Sequence, residues 1–270
     1  MKTRTVKCSF RNSRGYTLDA RLDLPSHYDT LIAPGSDTGN DEDNNISAFV
    51  IFCHCFTCSK ETITTFRLSR LLAEKGYGIL RFDFTGLGKS EGDFASTTFS
   101  TTQDDLRCAI RFLSEDYQAP AFLMGHSLGG TTALSIANDY DFIRGVVTVA
   151  SPSEPNHVLH HFGHALTLLE QGIPASFNVA GTYFDIEPEF IEDVRTFEMQ
   201  TVLSSLDKPV LIFNIENDAL VDEDNALEIQ RWVKGEASLI DITASDHLLS
   251  GRDKTEIVAR DIIRWIEEVV

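Results

Sequence analysis

Three separated stretches carry side chains from which nucleophilic chemistry could be built. Gly125-His126-Ser127-Leu128-Gly129-Gly130 follows an apolar run and precedes the helical segment Thr131–Asn138. In that strand-turn-helix setting a serine hydroxyl can project from a tight turn, because flanking glycines let strand and helix approach closely and the helix N-terminus points its amides toward developing negative charge. The bland alternative is a glycine-rich turn with an incidental serine. A hydroxyl is a weak nucleophile at neutral pH, so it needs a base, and the base needs an acid to orient it. The order Ser, acid, His is supplied by Asp218 in Asn217-Asp-Ala-Leu-Val221 and His247 in Ala244-Ser-Asp-His-Leu248. Of the eight histidines, only His247 has the right chain position, whereas His126 belongs to the elbow and is expected to point away as scaffold. Glu216, Asp222 and Asp224 are the competing acids near Asp218, readable equally as solvated surface carboxylates. Acyl transfer also needs donors for an oxyanion. The amide of Leu128 is one candidate, and that of Phe56, in Phe52-Cys-His-Cys-Phe-Thr-Cys-Ser-Lys60, is the other.

These groups have to be gathered by a scaffold, and the chain from Ser47 onward has the pattern of one. Ala48–Cys55, Tyr77–Phe84, Ala121–His126, Ile143–Ala150, Pro209–Ile215 and Ser238–Thr243 are nearly continuous apolar runs, as expected of parallel strands covered on both faces. Helical periods lie between them. Ser59 is expected to cap a helix ending at Gly76, Thr102 to cap one carrying Leu106, Ala109, Ile110 and Leu113, and a last helix to align Val258, Ile262, Trp265, Ile266 and Val269. Each candidate side chain then follows a strand end, where functional groups gather in sheets of this kind. Before the sheet, residues 4–12 and 16–24 alternate around Asn12-Ser-Arg-Gly15 as a hairpin, and residues 27–46 have loop composition. Residues 152–206 are too long for an ordinary connection and are assigned as an insertion, with a small hairpin turning at Gly181 and a helix around Glu187–Phe197. The insertion leaves the sheet at a strand end, so it is expected to form a small cap over Ser127. Its apolar residues, Phe162, Phe177 and Phe184 among them, would face a pocket for short or aromatic acyl groups.

Other constellations compete less well. Cys55-x-x-Cys58 beside Cys53 and His54 invites metal or redox chemistry, but no second Cys/His pair at zinc spacing follows. An odd total of five cysteines, three of them within six positions, predicts reduced thiols. His157, His160, His161 and His164 stand at helical spacing and could share a face as metal ligands, or could be a polar or pocket-facing stripe. No metal and no cofactor is implied. The net charge of −18 opposes binding to nucleic acid or to anionic lipid surfaces. No apolar run approaches the ~20 residues of a membrane span, and the N-terminus lacks a leader-type core, which predicts a cytoplasmic protein.

Taken together, His54-Cys-Phe-Thr-Cys-Ser-Lys60, Arg81-Phe-Asp-Phe-Thr-Gly-Leu-Gly-Lys-Ser-Glu-Gly-Asp-Phe94, the Ser127 elbow and Ser245-Asp-His-Leu-Leu249 resemble α/β hydrolases of the esterase and serine-aminopeptidase type. More narrowly, they are similar to those beside or fused to OsmC-like proteins. The resemblance implies the α/β-hydrolase fold: one domain spanning 1–270, built on a mostly parallel doubly wound sheet, with an N-terminal antiparallel hairpin and a small cap. It places Ser127, Asp218 and His247 at the triad, Phe56 and Leu128 at the oxyanion donors, and Asp83, Gly86, Gly88 and Ser90 in a scaffold turn. The chain departs at Cys55, where many relatives have Gly. The implied activity is hydrolysis of a small-molecule carboxylic ester through an acyl-enzyme. A peptidase, an aminoacyl amidase and a thioesterase would use the same triad, and a ligand-binding protein on a hydrolase scaffold is the reading from another class.

Overall fold

The computed structural model describes residues 3–28 and 46–269. Its strands are β1 (Thr3–Arg11), β2 (Thr17–Pro25), β3 (Phe49–Cys53), β4 (Gly78–Phe82), β5 (Phe122–His126), β6 (Gly145–Val149), β7 (Ala175–Val179), β8 (Thr182–Ile186), β9 (Val210–Ile215) and β10 (Ala237–Ile242). Between and after them run α1 (Ile63–Ala73), α2 (Phe99–Asp116), α3 (Leu128–Ile136), α4 (His164–Glu170), α5 (Glu189–Thr196), α6 (Met199–Leu203), α7 (Glu223–Trp232) and α8 (Arg252–Val269). Eight strands form one sheet in the order β1-β2-β4-β3-β5-β6-β9-β10. The β1–β2 hairpin is antiparallel and joins the sheet through β2 antiparallel to β4, whereas β4, β3, β5, β6, β9 and β10 are parallel. This is the α/β-hydrolase fold.

The apolar runs are continuous because each strand feeds two cores. In β3, Phe49, Ile51 and Cys53 face the core shared with α2 and α3, while Val50 and Phe52 face the other core, shared with Leu68 and Leu72 of α1 and Val258 and Ile262 of α8. The final helix buries Val258, Ile262, Trp265 and Ile266 as its period predicts.

Two helix starts differ from expectation. The cap of α1 is Thr62, not Ser59, whose hydroxyl instead accepts from the Glu61 amide. The cap of α2 is Thr98, not Thr102: the Thr98 hydroxyl accepts from the Thr101 amide and Thr101 returns the bond to the Thr98 amide, so the helix begins earlier. Most of the loop read at 27–46, residues 29–45, lies outside the described residues.

Residues 152–206 leave the sheet after β6 and rejoin it before β9. They hold the β7–β8 hairpin with Gly181 at its turn, α5 where a helix was expected, and also α4 and α6, which the sequence pattern does not announce. Val158, Phe162, Phe177 and Phe190 join the same core cluster as the body of the sheet, so this segment is packed down rather than a solvated excursion.

A buried ionic network ties the edge of the sheet to the turn after β3. Lys60 Nζ meets Asp83 at 2.5 Å and Asp19 at 2.6 Å, with Lys60 and Asp83 almost wholly buried, and Arg81 Nε meets buried Asp23 at 2.7 Å. Removing one member leaves charge without compensation. Lys60→Met is therefore expected to cost about 3–5 kcal/mol in chemical denaturation. Arg252→Gln, which breaks an exposed pair with Glu256, should cost less than about 1 kcal/mol. Equal costs for the two variants would refute the network's structural importance.

Candidate functional site

The strand-turn-helix elbow at Ser127 is built by close approach of backbone. Ser127 adopts φ +52° directly after β5, and its amide donates to the Val149 carbonyl at 2.9 Å. This left-handed backbone is tolerable because its neighbours take no space. A Cβ on Gly125 would stand 2.2 Å from the Gly129 carbonyl carbon, and one on Gly129 would stand 2.4 Å from the His54 carbonyl oxygen. The second contact brings the start of α3 against the end of β3, beside the turn that carries Phe56.

Asp218 follows β9 and His247 follows β10, adjacent parallel strands at the sheet's end. Asp218 Oδ2 accepts from His247 Nδ1–H at 2.7 Å. The Asp218 carboxylate is 1% exposed as a side chain and also accepts from the amide of Leu220 at 2.8 Å. Burial alone would raise its pKa, but the hydrogen bond and charge of His247, with the Leu220 and Val221 amides, outweigh it and hold the carboxyl below its usual range. Glu216, Asp222 and Asp224 stay exposed, and Asp222 accepts from Asn225 at the start of α7. The structure thus pairs His247 with Asp218 and not with its acidic neighbours.

Ser127 and His247 line one cavity of about 540 Å³. Its wall also includes Cys55, Phe56, Thr57 and Cys58 from the turn after β3, Asn178 to Ala180, Thr182 and Phe184 from the β7–β8 hairpin, and Leu220 and Leu248. Among the described residues the Ser127 hydroxyl makes no hydrogen bond, and the amides of Phe56 and Leu128 meet no acceptor. A reacting carbonyl could therefore draw on all three without displacing an internal partner. The arrangement is suited to acyl transfer, with a candidate nucleophile, a candidate base held by a carboxylate, and free amides around one space.

His126 is buried and off the cavity wall, with its ring 4.8 Å from that of His247, and its Nε2–H donates to the His247 carbonyl at 2.7 Å. Burial, reinforced by the neighbouring His247, pushes His126 down to about 3. Several other side chains lie elsewhere than the sequence suggests. Phe162 and Phe177 are 3% exposed and stand behind Phe56 in a stack with Phe94 and Phe190, so of the three cap phenylalanines only Phe184 lines the cavity. The apolar content of the insertion did not reveal which residues face inward. The four histidines at 157–164 do not share a helix face, because Pro155–His161 is a 3₁₀ segment that ends before Gly163. His157 bonds to the Leu220 carbonyl and His161 reaches the cavity wall. Among the described residues there is no group of His, Cys, Asp and Glu arranged to hold a metal ion. Finally, Cys55 and Cys58 are joined as a disulfide, contrary to the expectation of reduced thiols, while Cys8, Cys53 and Cys108 are free. A count of cysteines says nothing about a local pair brought together by one turn, and the Cys-x-x-Cys spacing was the available signal.

The pattern of the family described as serine aminopeptidase, S33, matches residues 44–180. The crystal structure of the esterase domain of a Rhodothermus marinus protein is 34% identical, with 98% of each chain covered and a TM-score of 0.74. The chain belongs to the serine aminopeptidase S33 family of α/β hydrolases. Est1E of Butyrivibrio proteoclasticus, solved with ferulic acid bound, shares the hydrolase fold at 20% identity with a TM-score of 0.77, covering 97% of this chain and 98% of that one. Mouse mitochondrial palmitoyl-protein thioesterase ABHD10 is 24% identical over 222 residues, which is 77% of this chain and 71% of that protein. In this hydrolase no helix among the described residues is long and apolar enough to cross a membrane.

The buried imidazole has a consequence for stability. His126 takes up a proton near its ordinary value of 6.5 in the unfolded chain but only near 3 in the folded one. The unfolded state therefore binds more protons between those values, and stability falls as pH drops from about 6.5 toward 3. Asp218, held low, adds to the loss at the acid end. Melting temperatures measured across this range should decline, and His126→Gln should show a shallower decline than the parent. Parallel curves would show that His126 is not the group responsible.

Proposed function

We propose that this hydrolase cleaves carboxylic esters with Ser127 as nucleophile, His247 as general base and Asp218 as its orienting acid. The observation that carries the reading is the His247–Asp218 hydrogen bond at the wall of the cavity that Ser127 shares. In this mechanism His247 Nε2 takes the proton as Ser127 Oγ attacks the ester carbonyl. Asp218 stabilises the imidazolium, and the Phe56 and Leu128 amides donate to the oxyanion. Collapse expels the alcohol, protonated by His247, and leaves an acyl-enzyme. Water activated by the same imidazole then releases the acid.

The cavity favours short or aromatic acyl groups. Phe56, Val179, Phe184, Leu220 and Leu248 give it an apolar wall, and residues 152–206 act as the cap that bounds it. The similarity to a palmitoyl-protein thioesterase supports a second reading, a thioesterase using the same triad. Acyl transfer from sulfur and from oxygen requires the same groups, so the choice rests with the pocket.

Ser127→Ala should fold normally and lose ~10⁶ of turnover on p-nitrophenyl esters, because loss of the nucleophile disables the triad as a unit. Asp218→Asn should lose ~10⁴, while Asp222→Asn and Asp224→Asn remain near the parent rate. Esterase activity persisting in Ser127→Ala would end this assignment.

Phe184→Ala should raise the rate on longer acyl chains relative to acetate in a p-nitrophenyl series. Phe162→Ala and Phe177→Ala, which open the stack behind the cavity, should instead cost about 3–5 kcal/mol of stability. An unchanged chain-length profile in Phe184→Ala would count against the cap as a selectivity element.

A further inference from the structure

The turn between β3 and α1 is fixed at both ends by groups remote from the solvent. At one end buried His54 donates through Nδ1–H to the Cys55 carbonyl at 2.8 Å and accepts from the Phe84 amide at 3.3 Å. At the other, Lys60 is held by Asp83, which accepts from its backbone amide at 2.7 Å and from its ammonium. Between these anchors lies a four-residue turn, Cys55-Phe56-Thr57-Cys58, closed by a hydrogen bond from the Cys58 amide to the Cys55 carbonyl at 3.1 Å and by the disulfide between the same two residues.

The middle of that turn is in a conformation its sequence does not favour. Thr57 has φ +59° at the third position of the turn, where glycine or asparagine is usual and a β-branched residue is an outlier. The amide of Phe56, immediately before it, is the candidate oxyanion donor. It shares one peptide plane with the Cys55 carbonyl, which accepts from the Cys58 amide and from His54, so its direction is tied to closure of the turn. The Phe56 ring is separately packed in the aromatic stack with Phe94, Phe162, Phe177 and Phe190. Both bridged cysteines line the cavity with Ser127 and His247, which puts the covalent link at the reaction space.

We propose that the Cys55–Cys58 disulfide is a positioning device for catalysis, a covalent clamp that keeps Thr57 left-handed and so aims the Phe56 amide at the oxyanion. This rests on the reading of Phe56 as an oxyanion donor. Reduction by a dithiol opens the clamp. A thiolate of the dithiol attacks the sulfur of Cys58, the less buried of the two residues, and the S–S bond breaks with Cys55 leaving as thiolate. The second thiol of the dithiol then attacks the mixed disulfide and releases Cys58. Two protons end on Cys55 and Cys58, and the two electrons are supplied by the dithiol, which becomes a cyclic disulfide. The turn can then relax at Thr57, and the amide turns away from the developing charge. An amide misplaced in this way lowers turnover and leaves ground-state binding nearly untouched, because it acts on charge that develops in the transition state.

The test compares the intact oxidised protein, the same protein reduced with dithiothreitol, and the Cys55→Ser/Cys58→Ser double variant, using a p-nitrophenyl ester. Thiol titration and mass spectrometry establish the redox state in each sample. The expected result is a kcat lower by ~10-fold to ~10³-fold in the reduced and doubly substituted proteins, the upper end being the loss of one oxyanion donor. KM should be nearly unchanged and the melting transition cooperative in all three. Reoxidation should restore the parent's kcat, and dithiothreitol should have no effect on the double variant. Adding Thr57→Gly to the double variant should recover part of the lost kcat, since glycine holds positive φ without steric cost. Equal kcat in oxidised and reduced protein, with Ser127 still essential, would overturn the clamp while leaving the esterase reading intact. A loss of kcat accompanied by loss of the folded state in both reduced and substituted proteins would also overturn it, as a purely structural bridge. Activity that survives Ser127→Ala would instead remove the reading on which the clamp depends.

Discussion

The arrangement depends on one place where two backbones touch. Gly129, in the first turn of α3, lies so close to the end of β3 that a Cβ there would fall 2.4 Å from the His54 carbonyl oxygen and 2.5 Å from that of Cys53. Only glycine permits this approach. Without it the helix could not sit against the strand end, and the Ser127 elbow and the Phe56 turn would not wall the same cavity. The elbow's own strain, φ +52° at Ser127, is held by that contact and by the bond from the Ser127 amide to Val149 on the neighbouring strand. A residue held in such a conformation needs surroundings that over-determine it, and here the sheet on one side and the turn after β3 on the other do so.

The parallel order of the sheet extends this local contact into a site. Because β3, β5, β9 and β10 all run the same way, the turns that carry Phe56, Ser127, Asp218 and His247 emerge at one end. The His247 loop is then tied down twice by its own backbone: the His247 carbonyl accepts from His126, and the Leu248 carbonyl accepts from the Thr64 hydroxyl of α1. These bonds fix the loop independently of the Asp218 contact. The carboxylate is left to set the tautomer and the tilt of the ring.

Much of this was legible in the sequence, for identifiable reasons. Strands buried on both faces read as unbroken apolar runs, so the six parallel strands stood out, and the side chains following their ends were the natural candidates. The hairpin before them and the one at Gly181 were signalled by alternation around turn-forming residues. The failures share a different cause: they concern choices among neighbours with the same local chemistry. The stretch Thr97-Thr98-Phe99-Ser100-Thr101-Thr102 offers several hydroxyls able to cap a helix, and the reciprocal Thr98–Thr101 pair prevails because it satisfies two amides at once. The insertion shows several phenylalanines, but only three-dimensional packing separates Phe184 at the cavity from Phe162 and Phe177 behind it. The Cys55–Cys58 bridge is not legible in the parity of the cysteines, a property of the whole chain, because the pairing is decided by one turn.

The electrostatics of the site follow from keeping two of three clustered imidazoles uncharged. In the proposed mechanism His247 becomes positive as the transition state forms, so another cation nearby would oppose the reaction. His126, with its ring against that of His247, stays neutral across ordinary pH because burial pushes it down to about 3. His54 is likewise held below its usual range by burial, against the raising influence of its bond to Cys55 and of Asp83. Each is used instead for its directional hydrogen bonds, His126 to the backbone of His247 and His54 to the backbone of the Phe56 turn. The carboxylate that does carry charge, Asp218, is aimed at the imidazole that takes the proton in the proposed mechanism. On the proposed mechanism burial divides the histidines by function, since a fully desolvated imidazole can hold backbone without competing for the proton that catalysis moves.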